Sequence, residues 1–314
     1  MPAIFATAPG KAILFGEHAV VYGRPAIAIP VTQVRATAII TPLLLASPGT
    51  IKLEAPDIGL SAHFAELPMD HPLAAALYRT FSALEVTDPP AMTVRITSTI
   101  PVASGLGSGA AVSVALIRAL SAFFGHPLPD EEVCALAFEV EKIHHGTPSG
   151  IDNTVITYRA PVYFVRGEPI RTVSVPLPFT LVIGDTGVSS PTAVAVGDVR
   201  AGWKQNQPAY AARFDAIGDL ARIAFQAITA GDIPRLGPLM DQNHTLLTEL
   251  GVSSPELDRL VNAARNAGAW GAKLSGAGRG GNMIALVPPE MAASVAQAVE
   301  ATGAVHTIIT KIEN

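Results

Sequence analysis

The 314-residue sequence contains one cysteine, Cys134, and no run of basic residues. A single cysteine excludes an internal disulfide, and its place on an apolar helix face indicates a small core residue in a reducing compartment. Charged residues make up only 15% of the chain, with 21 Lys plus Arg against 26 Asp plus Glu and a net charge of −5. This modest acidity without a basic patch argues against nucleic acid or an anionic membrane as the main partner.

A long apolar run is also lacking. The first residues show no basic region followed by an apolar stretch, and the apolar segment 112–124 is short and carries Arg118. These features predict neither a signal peptide nor a membrane-spanning helix, and we expect a cytoplasmic protein. Apolar residues make up 49% of the chain, which argues against disorder and suffices for the cores of two domains.

Two common nucleotide motifs are absent or out of context. No Gly-Lys-Ser/Thr occurs, which excludes the usual nucleotide P-loop. The segment Gly105–Ala110 fits the dinucleotide pattern G-x-G-x-x-A, but a loop leading into another helix follows where a second strand ending in an acidic residue is required. A zinc site is equally unsupported, because neither H-E-x-x-H nor a Cys/His spacing is present.

What the sequence does contain is a dense glycine–serine segment from Pro101 to Ala111, between a predicted strand (92–100) and a predicted helix (112–123). Glycines let the backbone approach a ligand closely, and the start of a helix adds its positive end. The segment therefore predicts a phosphate-binding loop, with a tight turn that binds nothing as the alternative. The candidate phosphate contacts are Pro101, Ser104, Gly105, Leu106, Gly107, Ser108, Gly109 and Ala110.

Two carboxylates, Glu141 and Asp152, flank a Gly/Pro/Ser/Gly turn eleven residues apart. In this position one can bind Mg²⁺, which prefers oxygen ligands and retained waters, while the other takes a proton from a hydroxyl. The competing interpretation of such an acidic pair is a solvated face or a helix cap.

Two further polar segments interrupt apolar surroundings. Lys11 lies beside Gly10 between strand-like runs, where a lysine is often simply exposed to solvent. Ser275–Gly281 holds six small residues in seven between two predicted strands, which indicates a backbone packed against a neighbour or an anion.

Hydrophobic periodicity predicts strands in the first half of the chain and a helix-rich second half beginning near residue 192. Asp70 is predicted to cap a helix through Leu84, and Asp130 to begin another that ends near His145. Short strands are predicted after the turn that carries Asp152. We place a domain boundary near 185–190, giving domains 1–187 and 188–314.

Taken together, these segments resemble the GHMP family of small-molecule kinases. The first family motif matches Pro9–Gly23, the second Pro101–Ala111 and the third Lys273–Gly281. The stretch Glu141–Asn153 is similar to the segment that marks the members that phosphorylate mevalonate. The matches follow the family order over nearly the whole chain.

The resemblance implies a two-domain α+β GHMP kinase fold. Its N-terminal domain is expected to resemble domain 2 of ribosomal protein S5 and its C-terminal domain to be ferredoxin-like, with the active site in the cleft between them. It implies an enzyme that uses ATP and Mg²⁺ to phosphorylate the primary hydroxyl of mevalonate, and in some relatives a homodimer. The residue roles that it implies are Asp152 as base, Lys11 near the reacting hydroxyl, Glu141 as magnesium ligand, Glu17, His18, Gly150 and Thr192 near the substrate, and Ser275 and Gly276 near the phosphates.

One departure from the family pattern concerns the metal. The family usually reads Gly-Leu-Gly-Ser-Ser-Ala, and its second serine contributes a hydroxyl to Mg²⁺, whereas this chain has Gly109 there. Ser108 or a water takes its place, or metal binding is weaker; we favour water, because Mg²⁺ commonly keeps several.

Other functions remain open from the sequence. Phosphomevalonate, homoserine and sugars are alternative acceptors within the family, although the scarcity of Lys and Arg disfavours a phosphorylated acceptor. A non-catalytic nucleotide-binding protein and a dinucleotide oxidoreductase are the alternatives from other classes.

Overall fold

The computed structural model describes residues 3–101, 105–145, 148–189 and 192–313. The chain divides into two compact units, each assembled from separate stretches of sequence. The first unit is residues 1–10, 34–101 and 107–159, and the second is residues 11–33, 102–106 and 160–314. The domain boundary at 187/188 stays a prediction.

The elements follow one another in the order of a mixed α+β chain. They are β1 (Ile4–Phe15), β2 (Ala26–Pro42), β3 (Ile51–Ala55), β4 (Leu60–His63), α1 (Pro72–Ala83), β5 (Met92–Ser98), α2 (Ser108–Phe123), α3 (Asp130–His145), α4 (Ile151–Tyr158), β6 (Val162–Phe164), β7 (Arg171–Thr172), β8 (Phe179–Asp185), α5 (Thr192–Gln205), α6 (Gln207–Ala230), α7 (Leu236–Glu249), α8 (Pro255–Asn266), β9 (Gly271–Ser275), β10 (Asn282–Val287), α9 (Ala292–Ala301) and β11 (His306–Ile312). Strands β1 and β2 contribute residues to both units. No helix in the described parts of the chain is long and apolar enough to cross a bilayer.

In the first unit, the second half of β2 continues a sheet in the order β4-β3-β5-β2. β3 is antiparallel to β4 and parallel to β5, and β5 is antiparallel to β2, with Ala36 opposite Ser98. Apolar side chains alternate along β3 and β5, as expected for strands that bury one face.

Helix α2 is the centre of the helical layer in the first unit, in contact with α1, α3 and α4. Its sequence is apolar nearly all round and rich in alanine, which suits a helix surrounded by others. Helix α3 begins at Asp130 and reaches His145, as predicted. The prediction that Asp70 caps α1 is wrong: His71 occupies that position, its Nδ1 accepting from the Leu73 N–H at 3.3 Å, because Pro72 begins the helix.

The second unit contains an antiparallel sheet in the order β11-β8-β10-β9. Helices α8 and α9 pack on this sheet, and α7 packs along β9. One buried cluster, which includes Phe214, Leu247, Leu260 and Val295, joins these helices to the sheet. Elsewhere in this unit, the start of β2 pairs with β6, and β6 with β7.

Candidate functional site

The glycine–serine loop leads into α2 through Gly107, the helix N-cap, whose backbone is left-handed (φ 75°). Gly107 has no side chain to cap the helix, and the first turn of α2 carries no acidic residue. The first N–H groups of a helix have no intrahelical acceptor, so this end can receive an anion through backbone groups. Ser108, Gly109 and Ala110 are the first residues of that turn, and Ala110 is buried. Among the candidate contacts, Ser104 lies outside the described residues.

Glu141, near the end of α3, lies next to this helix start. A Cβ atom built on Gly109 would lie 3.3 Å from Glu141 Oε1, and Glu141 is only 5% exposed. The carboxylate and the helix start are therefore brought together within the first unit, as a metal ligand beside a phosphate loop requires.

Asp152 lies in the first turn of α4, whereas the sequence predicts a turn followed by strands there. The N-cap of α4 is Gly150 (φ 91°), and the Thr154 hydroxyl donates to the Gly150 carbonyl at 2.7 Å. Asn153, 4% exposed, donates through Nδ2 to both the carbonyl and the sulfur of Cys134 at 3.1 Å. The bonds from Asn153 to α3 fix the rotation of α4 and, with it, the direction of the half-buried Asp152.

Within the second unit, the first motif contacts the middle of the glycine loop. Lys11 lies in β1 and is 5% exposed, so it is not the solvent-exposed lysine of the alternative interpretation. Its backbone N–H donates to the Leu106 carbonyl at 2.9 Å. Gly105, in the left-handed region at φ 84°, has open space where a side chain would be.

The third motif is tied to the same strand. The Ser275 hydroxyl accepts from the Ile13 N–H at 3.0 Å and donates to the Ile13 carbonyl at 2.9 Å. Ser275 is buried, and its hydroxyl thus holds β1 against β9. Gly276, at φ 91°, has nothing within 4 Å of a built Cβ and is the more accessible residue of the predicted pair.

His18 and Glu17 form a tight turn after β1. His18 has a positive φ of 60°, which is uncommon for a residue other than glycine, and its Nε2 lies 3.0 Å from the Ala277 carbonyl. Burial lowers the pKa of His18 from 6.5 to about 4; the bond to Ala277 opposes this shift and Arg279 adds to it. The ring is therefore neutral at pH 7, with the proton on Nε2, and Nδ1 is left as an acceptor.

Both oxygens of the Glu17 carboxylate are occupied within the second unit. The Lys273 ammonium donates to Oε1, and Asn243 Nδ2 donates to Oε2 at 2.9 Å. The Glu17 and Lys273 side chains are fully buried. Lys273 belongs to the third motif, whose pattern does not single it out as a site residue, and Asn243, in α7, carries no local sequence signal.

Thr192 is the first residue of α5 and is exposed. Farther along α5, Asp198 pairs with Arg279 of the third motif, which also donates to the Gly251 carbonyl at 3.2 Å. The helix that begins at Thr192 is thereby attached to the glycine-rich turn.

The lowered pKa of His18 predicts an acid-sensitive fold. Below pH 6.5 the unfolded state takes up a proton that the folded state refuses until about pH 4, so stability is complete above pH 6.5 and falls as the pH drops towards 4. We expect about 2 kcal/mol of the unfolding free energy to disappear between pH 7 and pH 5 on this account. Urea unfolding at both pH values measures it. His18→Asn, which tolerates a positive φ, should lose that part of the pH dependence; an unchanged dependence would contradict the assignment.

Comparison with known proteins places these segments in a family. The model of the GHMP kinases N terminal domain matches residues 73–160, and that of the GHMP kinases C terminal domain matches residues 224–305. A mevalonate kinase of Thermococcus sibiricus is 40% identical over 98% of this chain and 96% of its own length, and one of Pyrococcus horikoshii is 40% identical over 97% and 94%. The crystal structure of L. major mevalonate kinase in complex with R-mevalonate superimposes with a TM-score of 0.83 at 30% identity, covering 98% of this chain and 95% of that one. The chain has the two-domain α+β fold of the GHMP kinases and belongs to that family.

Proposed function

We propose that this protein transfers the γ-phosphoryl group of ATP to the primary hydroxyl of mevalonate, giving 5-phosphomevalonate and ADP. The observation that supports this best is 40% identity to mevalonate kinases over nearly the whole of both chains. A homologue of known structure, 30% identical, is described in complex with R-mevalonate. A homodimer and a cytoplasmic location stay predictions.

Phosphoryl transfer mostly requires positioning and charge stabilisation. We assign the phosphates of ATP to the N-terminus of α2, where backbone N–H groups lack a side-chain cap. Gly105 and Gly276 are the other backbone approaches, because a built Cβ at either meets nothing. The mevalonate oxygen attacks the γ-phosphorus while the bond to the β-phosphate oxygen breaks.

Asp152 is the proposed acceptor of the hydroxyl proton. We assign to Lys11 the neutralisation of negative charge that develops on the attacking oxygen. The neutral ring of His18 accepts a hydrogen bond from a substrate hydroxyl through Nδ1, since its Nε2 proton is directed at the Ala277 carbonyl. Gly150 and Thr192 stay predicted substrate contacts.

The oxygen ligands near the start of α2 in the first unit suit Mg²⁺. One buried carboxylate, that of Glu141, borders the helix start, and the described residues contain no cluster of three or more His, Cys, Asp or Glu side chains that could hold a metal. Mg²⁺ is usually held by one or two carboxylates together with phosphates and waters, so Glu141 would hold it, with a water or the Ser108 hydroxyl in place of the missing serine. When bound, it neutralises charge on the β- and γ-phosphates.

A panel of acceptors tests the function. Purified protein with ATP and Mg²⁺ is offered mevalonate, phosphomevalonate, homoserine, galactose and a secondary hydroxy acid, and ADP release is followed by a coupled assay. We expect turnover with mevalonate and a new phosphomonoester signal by ³¹P NMR. Faster turnover of another acceptor would refute the assignment of mevalonate, and nucleotide binding without any turnover would favour a non-catalytic protein.

Gly109 gives a prediction about the metal. Gly109→Ser places a Cβ 3.3 Å from Glu141 Oε1, so the carboxylate must move by a few tenths of an ångström, while the new hydroxyl adds an oxygen donor. We expect Gly109→Ser to retain activity and to need the same or less Mg²⁺ for half-maximal ADP binding, measured by calorimetry. Gly109→Ala is the matched control, because it adds the Cβ without the hydroxyl. Complete loss of activity in both variants would show that the loop requires glycine, and loss in Gly109→Ser alone would show that the added hydroxyl disrupts the site.

A further inference from the structure

We propose that Lys273 and Asn243 are positioning residues for the substrate-binding turn, and that Glu17 is the point at which they hold it rather than a substrate ligand. This inference rests on the proposed function, in which His18 contacts mevalonate. Glu17 precedes His18 directly in the chain, so the position of its carboxylate determines the start of that turn.

Both oxygens of the Glu17 carboxylate are hydrogen-bonded by neighbours in its own unit. The Lys273 ammonium donates to Oε1 and also to the Leu274 carbonyl at 2.6 Å, and Asn243 donates to Oε2 at 2.9 Å. Glu17 is 2% exposed, while Lys273 and Asn243 are 0% exposed. A carboxylate that is buried and bonded at both oxygens acts as an anchor, because a ligand would first have to displace a buried cation.

Lys273, which binds Glu17, lies in a strand that is itself fixed to α7. The β9 backbone beside Lys273 is fixed to α7 on both sides: the Leu274 N–H donates to His244 Nδ1 at 3.3 Å, and the Ala272 N–H donates to Asp241 at 3.0 Å. His244 is in turn held by Asp258 at 3.2 Å. Burial lowers the pKa of Lys273 while Glu17 opposes this, so the ammonium depends on its partner to stay charged.

The turn at residues 16–18 has a strained backbone that needs stabilising contacts from its neighbours. His18 has a left-handed φ of 60°, and Gly16, at φ 97°, lies so near β2 that a built Cβ would be 2.5 Å from the Ala26 Cα. Such conformations persist when surrounding contacts determine them. The His18 ring is held by Ala277 and the preceding carboxylate by Lys273, so two residues of the third motif orient the turn.

Neutralising the ion pair in a mutant cycle separates an anchor from a substrate ligand. Lys273→Met and Glu17→Gln each leave one buried charge without its partner, whereas the double variant leaves neither. We expect each single variant to raise the KM for mevalonate about tenfold or more, and the double variant to return to within about threefold of the wild type. The KM for ATP should stay constant throughout. If the double variant is as impaired as Glu17→Gln alone, Glu17 contacts the substrate and the proposal is wrong.

Two measurements separate positioning from general destabilisation. In Lys273→Met, the buried Glu17 carboxylate has lost its cation and only the adjoining turn is disturbed, so the KM for mevalonate should rise while the KM for ATP stays constant. Leu260→Ala, in the core of the same unit, should lower Tm without changing either KM. A similar KM increase in Leu260→Ala would overturn the proposal.

The His18 ring gives a readout that needs no substrate. Nitrogen NMR of the wild-type imidazole should report a pKa near 4, and in Lys273→Met this value should move towards 6.5 as the turn loosens. An unchanged His18 titration in Lys273→Met refutes the positioning role. If wild-type protein fails to phosphorylate mevalonate while the titration moves as expected, the proposed function fails and the anchoring of the turn stands.

Discussion

Asp152→Asn is expected to lower kcat by roughly 10²–10⁴-fold while the protein stays folded, because a positioned general base contributes about that factor. Asparagine has the size of aspartate and cannot accept the proton of the mevalonate hydroxyl. The rotation of α4 should not change, since it is fixed by the bonds from Asn153 to Cys134, which the substitution leaves in place. Steady-state turnover, circular dichroism and Tm measure the two parts of the prediction.

The matched control for Asp152 is Asp130. It is also an aspartate in the first turn of a helix in the first unit, and its carboxylate binds Arg118 at 2.6 Å. Asp130→Asn should cost some stability and leave kcat near that of the wild type. ADP binding should be normal in both variants. Near-normal turnover in Asp152→Asn would remove Asp152 from the role of base.

Helix α4 shows where pattern reading of the sequence fails. It has only eight residues, follows a glycine, and is rich in β-branched side chains, so local propensity favours a turn and strands. Contacts with α2 and α3 and the bonds from Asn153 to Cys134 supply what propensity does not. By contrast, α3 begins where the sequence predicted, because Asp130 and the acidic residues after it suit a helix start.

Some residues of the candidate site can likewise be found from local sequence patterns, and others only from the structure. The family motifs singled out Lys11, the glycine loop and the third motif, because small residues and a helix start leave a visible local pattern. The partner of Glu17 could not be found locally: Lys273 is 256 positions away along the chain, and Asn243 is 226 positions away. A buried ion pair between such distant residues is set by tertiary packing, so no local pattern in the sequence indicates that Lys273 and Asn243 bind the Glu17 carboxylate.

Gly278→Ala is expected to lower the stability of the protein strongly and to weaken substrate binding. Gly278 has φ 78°, and a built Cβ would lie 1.9 Å from the Val252 carbonyl oxygen. The close approach is maintained by the neighbouring Arg279 N–H, which donates to that same oxygen at 2.7 Å. Left-handed backbone in alanine costs about 1–2 kcal/mol and overpacking about 1–3 kcal/mol more, so we expect a loss of roughly 2–5 kcal/mol in unfolding free energy.

The effect on binding follows from the neighbours of Gly278. Ala277 accepts the bond from His18 Nε2, and Arg279 pairs with Asp198 of α5, so a shift of Gly278 disturbs the contacts of His18 and of the helix that begins at Thr192.

Gly276→Ala is the matched control: Gly276 has a similar φ of 91° and nothing within 4 Å of its built Cβ. It should lose only the backbone part, about 1–2 kcal/mol. Urea unfolding and the KM for mevalonate compare the two, and equal losses in both variants would show that the contact with Val252 is unimportant.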